Sequence, residues 1–283
     1  MSLLKKTTYK SKTPGPRILV LGAIHGNEPA GTKACEKAIE QLGLKELNKG
    51  LVTFIPVCNP AAKTHNVRYI KDNLNRIMHR HSKADTLEKD YANQICTLIE
   101  NHDYVLDLHS THIKGDLPTV FNDFVDDETI AWSNALNVGA VITSWRDMLN
   151  KSDAPADFSD TVYYAHKTNR KALLVEAGYH GDEDADKIAY NAIIRTLEFF
   201  DMVDKTSSQE FNNTIAHMYK IVFKTEEGGE FTKEWKHMDE VKAGDVIAKL
   251  ASGKPLMAEH DGYMIIPFPN AKVDEEWFYL AKK

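Results

Sequence analysis

The strongest constraint on this chain is a recurring pattern: a short aliphatic run, a polar residue at its end, then a stretch with helical spacing. RILVLGAI (17–24) stops at His25-Gly26-Asn27-Glu28-Pro29, and AGTKACEKAIEQL follows with its proline placed for a first helical turn. LVTFIPV (51–57) runs into Asn59-Pro60, and DYVLDL (103–108) into His109. Helical spacing returns over 86–101, over DETIAWSNALNV (127–138) and from Glu183 to about Val203, with the apolar runs GAVIT (139–143) and KALLVEAG (171–178) between them. Runs this apolar are buried on both faces, so the pattern predicts an α/β domain around a mostly parallel sheet. Such sheets hold their sites in the crevice beyond the carboxyl ends of the strands. His25, Asn59 and His109 sit at such ends, and Glu176 lies near the end of its own run.

The rest of the chain bounds the problem. With 42% apolar residues over 283 positions a sizeable core is expected. A net charge of −6 speaks against a nucleic-acid binder, which carries a clustered basic face. No run approaches the roughly eighteen apolar residues of a membrane span, and none follows the N-terminal lysines as a secretory signal requires. Cys35, Cys58 and Cys96 are odd in number and widely spaced, which reads as reduced core thiols in a cytoplasmic protein. Residues 1–16 read as a lead-in or edge element, and 61–82 as a long loop carrying function. From about Asp204 the character changes. KTSSQEFNNT is linker-like, and IAHMYKIVF, DVIAKLA, PLMAE, GYMIIPF and EEWFYLA follow between glycine turns. The expected organisation is an α/β domain over 1–204 and a small all-β domain over 205–283. The sequence leaves a homo-oligomer open.

His25-x-x-Glu28 with His109 makes a His₂Glu set, which suits a catalytic zinc with one open position. Taken alone H-x-x-E is common, and a helix-capping histidine is its ordinary alternative. Glu176 in LLVEAG is either a general base or half of a buried salt bridge; spacing leaves both open. On the loop NVRYIKDNLNRIM, Arg76 has the fork to grip a carboxylate with Asn75 beside it, and Arg68 the charge to hold an oxyanion. A solvated basic loop explains any one of them equally well. Asp107 is a candidate support for a ligand histidine, or points elsewhere along its strand. His65, His79, His81 and His102 lie in polar stretches and read as surface residues. His166 and His180 are placed to line a cleft.

Together, GAIHGNEPAG (22–31), VRYIKDNLNR (67–76), DLHST (107–111) and VEAG (175–178) resemble, in order and interval, the succinylglutamate desuccinylase/aspartoacylase family, relatives of the zinc carboxypeptidases. The resemblance spans about 17–204 and extends loosely to IIPFPNAKV. It implies a zinc-carboxypeptidase-like domain with one Zn2+ per chain, held by His25, Glu28 and His109. It implies Glu176 as the catalytic glutamate, Arg68 as the carbonyl-polarising arginine, and Asn75 and Arg76 as the pair on the substrate's α-carboxylate. One departure matters. About ten residues before the catalytic glutamate, aspartoacylases carry an arginine for the side-chain carboxylate of the substrate. Here YYAHKTNRKALLVE has His166, with Lys167 and Arg170 nearby, which puts aspartate in doubt. The segment VKAGDVIAKLASGKPLMAEHDGYMI also looks like a biotinyl/lipoyl-type barrel, but Lys254 lacks the usual methionine flank, and the segment reads as structural.

The expected function is zinc-dependent hydrolysis of a small N-acyl amino acid, with no nucleic-acid or membrane partner. Two alternatives stand beside it: a zinc carboxypeptidase acting on peptides, and a non-catalytic protein that binds acyl amino acids.

Overall fold

The computed structural model describes residues 3–43, 46–150, 158–205 and 213–283. In chain order, the first half consists of β1 (Thr7–Lys10), β2 (Arg17–Gly22), α1 (Ala30–Leu42), β3 (Leu51–Ile55), α2 (Pro60–His65), α3 (Leu87–Glu100), β4 (Tyr104–Thr111) and β5 (Thr119–Phe121). Next come α4 (Asp127–Leu136), β6 (Ala140–Thr143), α5 (Trp145–Asn150), α6 (Thr161–Lys167), β7 (Lys171–Tyr179) and α7 (Glu183–Phe199). The C-terminal region adds β8 (Thr214–Phe223), β9 (Glu230–Phe231), β10 (Glu240–Val241), β11 (Val246–Lys249), β12 (Pro255–Met257), β13 (Gly262–Ile265) and β14 (Glu276–Lys282).

Eleven of the described strands form one sheet in the order β1-β3-β2-β4-β7-β5-β6-β8-β14-β13-β10. Its centre is built as the apolar runs require. β2 pairs in parallel with β3 and β4, and β4 in parallel with β7. Ile18, Val20, Leu106 and Leu108 pack on one face beneath α1, α4 and α7. Leu19, Leu21 and Val105 pack on the other beneath α3 and α6. All three cysteines are free and buried.

The α/β fold is as expected: within residues 1–204 most strand pairs are parallel, and the sheet as a whole is mixed because antiparallel pairs join at β1, β5 and the C-terminal strands. β5 returns beside β7 antiparallel, with no helix between it and β4 to turn the chain over. β14, β13 and β10 then extend the far side through antiparallel pairs. The C-terminal region is β-rich as its turn pattern implied, with a core of its own around Trp235, Ile247, Trp277 and Phe278. It is also joined to the rest through the sheet, since β8 pairs in parallel with β6. Most of the linker-like KTSSQEFNNT lies outside the described residues.

Two local readings change. His102 is buried, not a surface residue, with one ring nitrogen on the Leu98 carbonyl at 2.6 Å and the other on the Thr53 hydroxyl at 2.9 Å. The 61–82 stretch opens with α2, whose first turn is capped by the Asn59 side chain accepting from Ala62 N at 3.1 Å.

The start of α1 is pressed against the ends of β2 and β4. A Cβ on Gly31 would sit 2.6 Å from the Leu108 carbonyl oxygen, and one on Gly22 would sit 2.7 Å from the Gly31 carbonyl carbon. Both obstacles are backbone, so little can yield. Gly31→Ala is expected to cost about 1–3 kcal/mol, the usual penalty for overpacking. An unchanged urea midpoint would mean that the helix start can shift without loss.

Candidate active site

The turn from β2 into α1 places two functional residues within one loop. Ala23 sits at φ 47 and breaks the strand, so that His25 and Glu28 point back over the sheet. Gly26 permits the close approach of α2: a Cβ there would fall 2.1 Å from the Ala62 carbonyl carbon. His109 comes from β4, which runs two residues beyond it to Thr111 instead of closing on it.

His25, Glu28 and His109 are all buried, and one potential ligand atom from each lies within 4.8 Å of the others. The Glu28 carboxylate lies between the two rings, with His25 Nδ1 2.8 Å from Oε1 and His109 Nδ1 2.8 Å from Oε2. The other ring nitrogens are occupied. His25 Nε2 meets Asn73 Oδ1 at 3.1 Å, and His109 Nε2 meets Asp107 Oδ2 at 3.1 Å. Both partners are acceptors, which anchors a proton on each Nε2 and leaves each Nδ1 facing Glu28, the nitrogen that a metal would take once it is free of a proton. His25 Nδ1 makes no aligned hydrogen bond despite its short contact with Glu28. A buried nitrogen lone pair without a donor, beside a carboxylate and a second lone pair, is a donor set that fits a divalent metal such as zinc.

Charge follows the same geometry. Burial pushes His25 down to about 4 against the pull of Glu28. Burial alone would lift Glu28, but the two histidines outweigh it and hold that carboxyl well below its usual range. Arg68 Nη1 donates to Glu28 Oε1 at 2.9 Å, with its own side chain 46% exposed toward the cleft.

Glu176 pairs with His109 across β7 and β4, so both side chains rise from the same face of the sheet. Burial, and then the charge of Glu28, push its carboxyl up to about 8; Oε2 has no hydrogen-bond partner. Among the described residues it has no salt bridge, and the nearest positive charges acting on it are those of His109 and Arg68.

These residues share one cleft of about 140 Å³ with Asn75 and Arg76. Asn75 is buried, and its Oδ1 receives Thr161 N at 3.4 Å. Arg76 lies 3.5 Å from Glu276 Oε2 and over the Phe158 ring. Ile266, Phe268, Glu276 and Tyr279 of the C-terminal region form part of the wall. His112 lines the cleft too. His166 does not: it is exposed and stacks on Phe124 with ring centroids 3.5 Å apart. Sequence reasoning missed Asn73, whose neighbours Asn75 and Arg76 drew the attention, and the cleft-lining carboxylates Asp116, Asp123 and Asp160. They lie in polar stretches with no pattern to mark which side chains turn inward.

Comparison with known proteins gives a consistent outcome. The profile of the succinylglutamate desuccinylase/aspartoacylase catalytic domain matches residues 14–194. A succinylglutamate desuccinylase of Shewanella denitrificans is 30% identical over 88 residues, a stretch that spans 31% of this chain and 25% of that protein. Among solved structures, the ectoine utilization protein EutE (DoeB) of Ruegeria pomeroyi, in a product-bound form, has a TM-score of 0.76 at 19% identity, covering 99% of this chain and 89% of that one. A succinylglutamate desuccinylase of Vibrio cholerae has a TM-score of 0.77 at 18% identity, covering 96% and 82%. At these identities the structural likeness speaks to the fold.

The Asn73 and Asp107 contacts generate a prediction. If the group binds a divalent metal, Asn73→Ala leaves His25 free to change tautomer and is expected to weaken that binding about 10–100-fold, the usual weight of such supporting contacts. Competition with a chromophoric chelator measures it, and wild-type affinity in the variant would remove Asn73 from the centre.

Proposed function

Because the chain belongs to the succinylglutamate desuccinylase/aspartoacylase family, we propose that it is a zinc-dependent hydrolase that cleaves the amide of a small N-acyl amino acid, releasing a carboxylate and an amino acid. The observation that carries this reading is the cleft in which the His25–Glu28–His109 group and the Glu176 carboxylate, unpaired by any salt bridge among the described residues, occur together.

A zinc ion held by these three residues would supply Lewis acidity to the scissile carbonyl and to a water, whose pKa it lowers toward about 7. The chain's own groups do the rest. Glu176, raised toward neutrality, takes the proton of the attacking water and delivers it to the leaving nitrogen. Arg68, half-exposed at the mouth of the group, turns from Glu28 to the oxyanion. Asn75 and Arg76 hold the α-carboxylate and thereby orient the amide.

The β-rich residues 205–283 act in this reading as a small domain that walls the cleft through Ile266, Phe268, Glu276 and Tyr279. That wall favours a small substrate over the extended chain a carboxypeptidase must admit. Cytoplasmic placement is part of the proposal; no helix among the described residues is long and apolar enough to cross a membrane.

A hydrolysis screen over N-acetyl and N-succinyl amino acids, following amine release, tests the activity. Glu176→Gln keeps shape and polarity but cannot accept the proton, so kcat is expected to fall about 10²–10⁴-fold. Its zinc content and melting temperature should match wild type. Near-normal kcat would remove Glu176 from the chemistry. His109→Ala should lose the metal, and full occupancy in that variant would sink the ligand assignment.

A further inference from the structure

The charges lining the cleft are lopsided. Apart from histidines its cations are Arg68 and Arg76, and each already faces a carboxylate: Glu28 at 2.9 Å and Glu276 at 3.5 Å. Beyond the metal group, Glu176 and Glu276, three more carboxylates line the same space, Asp116, Asp123 and Asp160. Among the described residues none of the three has an ion pair. Arg146, the nearest arginine in sequence to Asp123, gives it only a backbone N–H; its guanidinium lies on the Tyr163 ring and donates to the Phe158 carbonyl.

Asp160 is 7% exposed, caps α6 and stands beside the proposed carboxylate clamp, since Asn75 Oδ1 receives the N–H of the next residue, Thr161. Asp123 lies close enough to Asp160 for mutual repulsion. Burial, and then that repulsion, push Asp123 up to about 7. Leu174, Phe121 and Val162 line the cleft with them, an apolar stretch on the way from Glu176, since Leu174 and Glu176 are alternate residues of β7 and Phe121 pairs with Leu174. Asp116, before the other end of β5, is 6% exposed, and neither of its oxygens has a hydrogen-bond partner. Burial raises its carboxyl to about 6, against the pull of the Thr111 hydroxyl and the His237 backbone close by.

An acidic side chain entering this space would meet three carboxylates and, among the described lining residues, no arginine or lysine that does not already face a carboxylate. An aliphatic side chain ending in an ammonium would lay its methylenes on the apolar stretch and end among acceptors. We propose that the cleft selects N-acyl amino acids with a positively charged side chain, received by Asp123 and Asp160 beside the Arg76 clamp. This rests on the deacylase reading and supplies its substrate class.

The test uses the full-length, zinc-loaded protein. Rates on Nα-acetyl-ornithine and Nα-acetyl-lysine are measured beside the neutral Nα-acetyl-norvaline and -norleucine and the acidic Nα-acetyl-aspartate and -glutamate. The basic substrates are expected to exceed the acidic ones about 100-fold in kcat/KM and the neutral ones about tenfold, as like-charge rejection and one gained pairing imply. Asp160→Asn preserves the acceptor that caps α6 and should cut the basic-to-neutral ratio about tenfold. Calorimetry with the free amino acids should show ornithine binding ahead of norvaline and aspartate. Preference for the acidic substrates, or a basic-to-neutral ratio unmoved in both Asp160→Asn and Asp123→Asn, would overturn the proposal. If no acyl amino acid is hydrolysed while ornithine still outbinds aspartate, the deacylase reading falls and the charge selection stands. If none is hydrolysed and aspartate binds as well as ornithine, both fall.

Discussion

The carboxylate of Glu28 is the contact on which the site depends. Buried in the loop after β2, it meets His109 Nδ1 at 2.8 Å, Arg68 and the backbone N–H of Ser110 at 3.3 Å, with His25 Nδ1 also 2.8 Å away. A buried carboxylate without such partners would cost several kcal/mol or give up its charge. These partners come from the first loop, the long polar loop and the fourth strand, so satisfying one charge fixes three distant parts of the chain against one another. The rings are fixed in turn from behind by Asn73 and Asp107, and Asp107 also receives the Thr161 hydroxyl at the start of α6. The centre thus reaches into the helix that carries Asp160. Geometry at the metal group and geometry at the far end of the cleft are not independent.

Much of this was legible before any coordinates. The α/β class followed from apolar runs that stop at polar residues, and α1 spans the very AGTKACEKAIEQL stretch that the spacing marked. His25, Glu28, His109 and Glu176 stood out because each is a chemically capable residue at or near the end of an apolar run, where the fold class puts its cleft. What stayed hidden had physical reasons. β5 is three residues long, too short to establish a period. The direction in which it joins depends on a return whose residues carry no signature. His102 looked solvated because its neighbours are polar, yet its partner Thr53 lies 49 positions away on another strand. Asp107 could be named as a partner for His109 from its spacing, but only the face shared by alternate strand residues decides that it is one.

Substrate selection was the least legible part. The family pattern offers an arginine before the catalytic glutamate as its sign, and its absence says what is missing without saying what replaces it. The structure turns His166 out to solvent against Phe124. Three further charges that face the cleft come from Asp116, Asp123 and Asp160, outside every strand and helix of the chain. A connection exposes its backbone to water on one side only, and which of its side chains turns inward is set by packing against parts of the chain far off in sequence.

The wall contributed by the C-terminal region is hydrogen-bonded into the same sheet that carries His109 and Glu176, through β5, β6, β8 and β14. Enzymes that clamp down on their substrates do so at a few residues free to absorb a large change in backbone angle, and a shared ladder of strands offers none at that joint. The part of this entrance formed by Glu276 and Tyr279 of β14 is then set when the chain folds, while Ile266 and Phe268 reach it from the connection between β13 and β14. Along the β14 side, substrates and inhibitors would meet the same size limit on entering as products do on leaving.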